Sequence, residues 1–267
     1  MLEVYQELGR KIEGFIRPAT FPVAVRFLRS AEEIPPNSKR ASSEVAVQTF
    51  LCQNFRMVRT YGWTLAVLEE DCCCKMARAL FGWDPPSEES ESWGTRFSVG
   101  LYAQDGDTAS KIRENLYQFN NEFAGVVLSP LTRTAIKPDV ILVYCLPAQA
   151  MRLVQAYLYF RGGTMPFAAA GRMGSCHEGL IKTYLTSEPQ LVLLGNGDRV
   201  WGGADDAEVL FSIPGKSCQR IVEGLEATHA GGLRYPIPKY MNYTPGFQAA
   251  FARKAGERAG GTLVKES

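Results

Sequence analysis

Residues 138–156 read PDVILVYCLPAQAMRLVQA. The apolar run Val140–Leu146 has the length of a strand, well short of the roughly 20 residues that cross a bilayer as a helix. It places a strand over Asp139–Cys145. Pro147 then falls in the first turn of a helix running to about Phe160, where its missing N–H costs nothing. An apolar strand that feeds directly into a helix is the unit of an α/β chain. Downstream, Gly162-Gly163 turns the chain into a strand at Pro166–Ala170, and Gly174-Ser175-Cys176 opens another helix. A strand at Leu191–Leu194, a tight turn at Gly195-Asn196-Gly197-Asp198, a strand at Val209–Ile213 and a helix over Gly215–Thr228 complete this half.

Upstream the same alternation recurs. Leu2, Tyr5, Leu8, Ile12 and Phe15 lie near helical spacing within residues 1–16, and Pro18 and Pro22 end that helix. Pro22–Leu28 reads as a strand. Ser42 and Ser43 are suitable N-caps for a helix to about Thr60, and Tyr61-Gly62 turns into a strand at Thr64–Glu69. Asp71 opens a helix through Cys72–Leu80. Residues 84–95 form an acidic, Pro- and Ser-rich loop, followed by a helix from about Thr108 to Phe123 and a strand at Gly125–Leu128.

The expected fold is therefore α/β, or α+β, with helices packed on a mixed sheet. A single compact unit spans 1–254, and the polar, Gly-rich residues 255–267 form a flexible tail. The order strand, helix, Gly turn, strand, cysteine, helix occurs over 20–83 and again over 138–186. Two readings stay open: a degenerate internal duplication, or the plain alternation of any α/β chain.

Lys and Arg number 29 against 28 Asp and Glu, for a net charge of +1. With no long basic run, neither a nucleic-acid partner nor attraction to acidic membranes is expected. The N-terminal MLEVYQELGRKIEGFIRP has no apolar stretch flanked by basic residues and a cleavage site, so no export signal is expected. Seven cysteines, an odd number, then point to reduced thiols in a cytoplasm rather than to disulfides. Only His177 and His229 are available, which excludes a three-histidine metal site. G-x-S-x-G and H-E-x-x-H are both absent, leaving serine hydrolase and zincin chemistry without support.

Chemistry is therefore sought at the thiols. Cys74 and Cys176 start expected helices, where free N–H groups and the helix dipole favour a thiolate, which is both nucleophile and metal ligand. Cys52 is expected in mid-helix, sharing a face with Arg56 and Arg59, a pair suited to a thiolate or an anionic ligand. The plainer alternative is that Cys52 is a small buried hydrophobe and the arginines are solvated. In Cys72-Cys73-Cys74 the three thiols cannot all point the same way. One or two of them suit a soft metal such as zinc, copper(I) or an iron–sulfur cluster, although no C-x-x-C occurs. Cys145 in an apolar strand and Cys218 in a late helix are weaker candidates.

Five segments, LCQNFRMVR (51–59), VLEEDCCCKMARALFGW (67–83), VVLSPL (126–131), residues 138–156 as above, and GNGDRVWGGADDAEVLFSIP (195–214), together resemble Domain-of-Unknown-Function family 169. The family is found mainly in archaea and anaerobic bacteria. The resemblance implies a site on Cys52, Cys74 and Cys176, with Cys72 and Cys73 as substitutes. It places Asp198 where some members carry a further cysteine, so the match to a four-cysteine cluster is incomplete and Asp198 would be an unusual cofactor-binding carboxylate. It supplies no reaction. The expectation is a thiol-site protein holding an iron–sulfur cluster or another metal, as a redox enzyme or an accessory protein of anaerobic metabolism. A metal-free binder of a small anionic metabolite, using Arg56, and a structural subunit are the alternatives. A homo-oligomer is compatible with each.

Overall fold

The structure, a computed structural model, describes residues 2–84, 98–114 and 116–237. The described residues up to Tyr235 form one compact unit. Residues 85–95 of the acidic loop and the tail at 255–267 lie outside the described residues.

The compact unit is built on a seven-stranded sheet: β1 (Val23–Leu28), β2 (Lys39–Arg40), β3 (Leu65–Leu68), β4 (Gly125–Pro130), β5 (Val140–Cys145), β6 (Gln190–Val192) and β7 (Val209–Pro214). Their order across the sheet is β2-β3-β4-β1-β5-β7-β6. Only β2 and β3 pair in parallel; the other neighbours are antiparallel, with Val140–Cys145 opposite Pro214–Val209 in an unbroken register. The run that opened the sequence reading is thus a central strand, buried at every position.

Because strand side chains alternate between faces, each strand feeds two cores. Val23, Val25 and Phe27 with Val140, Leu142 and Tyr144 belong to one. Ala24 and Leu28 with Ile141, Val143 and Cys145 belong to the other. Helices α1 (Leu2–Ile16), α6 (Pro147–Leu158) and α9 (Cys218–Ala230) cover the second core, and Leu8, Ile12, Leu153 and Leu225 anchor them. The first core is covered by α3 (Leu51–Tyr61), α4 (Lys75–Phe81) and a π-helical segment, Gly174–Ile181, that continues into α7 (Lys182–Thr186).

Several elements differ from expectation. The helix sought from Ser42 to Thr60 is two helices, α2 (Ala41–Val45) and α3, because Ala46 adopts a left-handed conformation (φ 58°) and Thr49 leaves to bridge Cys72. The helix expected over 108–123 is α5 (Gly106–Glu114). Beyond it, Phe119 and Asn121 donate backbone bonds to Leu80 and Phe81, which close the end of α4 instead of extending α5. Gly82 is required at that contact: it has φ 73°, and a Cβ would lie 2.6 Å from the Asn121 nitrogen. Residues 166–170 form no strand. The two segments compared as a duplication therefore differ: the first supplies β1, β2 and β3, the second β5 alone. Their helices α3 and α6 also lie on opposite faces of the sheet.

Candidate functional site

Cys52 is not in mid-helix. With α3 starting at Leu51, it sits in the first turn, where its own N–H and that of Gln53 face the sulfur. Gln53 Oε1 accepts the Phe50 N–H at 2.8 Å and fixes this entry. Farther along, Arg59 is buried and forked onto Glu208 at 2.7 and 3.1 Å, with its guanidinium 4.2 Å from the Tyr144 ring centre. This buried pair ties α3 to the loop before β7 and so fixes where Cys52 stands. The thiol points to the Gly197 carbonyl at 3.6 Å.

Cys74 is the residue before α4, and the N–H groups of Met76 and Ala77 face its sulfur. Its neighbours divide as the run predicted: Cys72 turns into the first core and Cys73 is exposed. Asp71 places the loop, accepting the Leu68 N–H and pairing with Arg40.

Cys176 is the third residue of the π-helical segment, a rare form of helix that is frequent at functional sites. The segment's start is held by Asp198. That carboxylate accepts the N–H groups of Gly174 at 3.0 Å, Ser175 at 3.2 Å and Gly195 at 2.9 Å. The expected tight turn at Gly195–Asp198 is in fact the start of α8 (Asn196–Val200). Asp198 therefore ties two helix starts together, which occupies most of its accepting capacity.

The three thiols, each at a helix start, open onto one cavity of about 410 Å³ that Cys73 and Asp198 also line. A charge on Cys52 or Cys74 would raise the pKa of Cys176, so the sulfurs lie within electrostatic reach of one another. The thiolates expected from helix-start positions are not favoured by their surroundings. Burial is the largest influence on all three and pushes each thiol up, with the negative charge of Asp198 adding to it. The neighbouring N–H groups act the other way at Cys52 and Cys74 and are outweighed. Among the described residues, no three His, Cys, Asp or Glu side chains are placed to hold a metal ion as they stand.

Comparison with known proteins follows the same segments. The model of Domain-of-Unknown-Function family 169, described as "Uncharacterised ArCR", matches residues 11–224. The chain belongs to that family. An uncharacterised protein of Methanocaldococcus jannaschii is 28% identical over 205 residues, covering 76% of this chain and 86% of that protein. No solved structure matches.

In this family 169 chain Arg56 does not line the cavity; it donates to the Gly203 carbonyl at 2.7 Å. Cys145 and Cys218 are buried in the second core, across the sheet from the cavity, each pushed up to about 12 by burial. No helix of the described residues is long and apolar enough to cross a membrane. Sequence reasoning missed Arg172, Met173 and Trp201, which also line the cavity. Gly171-Arg172, just ahead of the Gly174-Ser175-Cys176 opening, was the available signal for the first two.

Proposed function

We propose that Cys52, Cys74 and Cys176 form a thiol site that takes up an iron–sulfur cluster, making the protein a redox enzyme or accessory protein of a reducing, cytoplasmic compartment. The observation that carries this reading is that three cysteines from three separate helix starts share the wall of one cavity. The donor set is soft and suits iron–sulfur or another thiophilic metal. A cluster fits better than a lone ion. A single tetrahedral ion needs all its sulfurs within about 2.3 Å of one point, whereas each cysteine of a cluster binds a different iron. Around the thiols the lining is mostly apolar, which keeps water from the sulfurs. The backbone N–H groups beside Cys52 and Cys74 offset negative charge there.

When bound through three cysteines, a cluster supplies electron transfer or an iron with an open position. The chain's own part begins with protons. Thiols pushed up by burial must each release one to ligate, so uptake strengthens as pH rises. Asp198 keeps the Cys176 segment in place through its three backbone bonds rather than serving as a ready ligand.

Anaerobic purification and reconstitution with iron and sulfide, followed by iron, sulfide and zinc analysis, tests the reading. It predicts a coloured protein with matched iron and sulfide and stronger uptake at pH 8 than at pH 6. A colourless protein that takes up neither metal nor sulfide would overturn it.

A further inference from the structure

Arg172 is a buried cation with little to hold. It is 7% exposed and lines the thiol cavity. Its guanidinium reaches Ser98 Oγ only at 3.5 Å and lies 5.6 Å from the centre of the Tyr102 ring. Among the described residues no carboxylate comes within ion-pair distance of it. The other deeply buried arginines are better served: Arg59 is forked onto Glu208, and Arg152 donates to Gln155 at 2.8 Å and Thr228 at 3.0 Å. A guanidinium offers five N–H donors in a planar fork that matches a carboxylate. Taking it out of water without a counter-charge is costly, and an anion entering the cavity would remove that cost.

We propose that this cavity binds a small organic monocarboxylate with an apolar body, its carboxylate on Arg172 and its body against Phe50, Met173 and Trp201 beside the thiols. The volume of about 410 Å³ lies in the range of small-molecule sites, which are mostly apolar with a few placed polar groups. Arg172 balances one negative charge, and the Asp198 carboxylate on the same wall is already taken up by three backbone N–H groups. The other cation on the wall, Lys75, is exposed. A phosphate dianion would carry a surplus charge into apolar surroundings, so the single-charged carboxylate is favoured. The proposal goes beyond the cluster reading and does not depend on it.

The test uses the reduced, metal-free full chain and two alkylating probes of nearly equal size, iodoacetate and iodoacetamide. Each forms an S–C bond as its C–I bond breaks; iodide leaves and the thiol proton goes to buffer. Rates at Cys52, Cys74 and Cys176 are read by peptide mass spectrometry, with the guanidinium-unfolded chain as reference. The expected iodoacetate-to-iodoacetamide ratio in the folded protein is at least about tenfold above the reference, the scale of one charge-assisted contact. Arg172→Met brings it back to the reference and Arg172→Lys keeps part of it. In a second arm, phenylacetate protects these thiols from iodoacetamide while phenylacetamide and inorganic phosphate do not. A folded ratio equal to the reference, or one unchanged in Arg172→Met, overturns the subsite. Protection by phosphate as strong as by phenylacetate overturns the monocarboxylate assignment. Should Arg172→Met fail to fold, the wild-type ratio and the protection arm decide. Because no metal is present, a negative result here is separate from a failure of cluster uptake.

Discussion

His177 shows how placement, not residue type, sets behaviour at this site. It follows Cys176 on the π-helical segment and accepts the Tyr117 N–H at Nε2, 2.9 Å away, while Nδ1 is buried without a partner. Burial, then the positive charges of Lys182 and Arg172, lower its pKa from 6.5 to about 4. The neutral imidazole is the folded form, so the unfolded chain binds the extra proton between those values. Stability from this residue is present above pH 6.5 and is lost as pH falls toward 4, by on the order of 3 kcal/mol. Denaturant unfolding across that range checks it: His177→Gln, which keeps an acceptor for Tyr117, should flatten the profile. An unchanged slope in the variant would assign the acid sensitivity elsewhere. At this scale the sequence singled out the three thiols that line the cavity, but it expected thiolates at helix starts where burial pushes the thiols up. Cys52, Cys74 and Cys176 were separable from Cys145 by position alone. That burial would outweigh the helix-start N–H groups depends on packing contributed by residues far away in the chain.

At the scale of elements, the site is a junction of helix starts, and Gly195 sets its tolerance. A Cβ there would lie 2.5 Å from the Cα of Arg172, a backbone atom that cannot swing aside. Gly195→Ala is expected to cost about 1–3 kcal/mol, the usual price of overpacking, and to weaken ligand retention by displacing Arg172 and the Cys176 segment. Gly197→Ala, whose methyl meets only Trp201 at 3.9 Å, should change stability by less than about 0.5 kcal/mol. Thermal unfolding of the two variants side by side measures the contrast. Most of the elements were legible because periodicity and Gly or Pro punctuation are local. The break between α2 and α3 was not, since it rests on a left-handed Ala46 and on Thr49 leaving to bridge Cys72. Without that break Cys52 reads as mid-helix, and its kinship with Cys74 and Cys176 is hidden.

Over the whole molecule, a sheet buried on both faces separates two tasks. One face carries α1, α6 and α9 over an apolar core that includes Cys145 and Cys218. The other carries α3, α4 and the π-helical segment, whose starts meet at the cavity. The α/β class and the helices on both sides follow from the apolar strands. The sheet order does not, because antiparallel pairing of β1 with both β4 and β5 joins segments about a hundred residues or more apart. The two strand–helix runs read alike along the chain, yet their first helices, α3 and α6, lie on opposite faces. The account's central claim is that three thiols act as one site. It is tested most directly by iron and sulfide content after anaerobic reconstitution of single Cys→Ser variants. Cys52→Ser, Cys74→Ser and Cys176→Ser should each lose most of the cluster, while Cys145→Ser and Cys218→Ser keep it. Equal content in all five variants, or loss confined to the second-core pair, would contradict it.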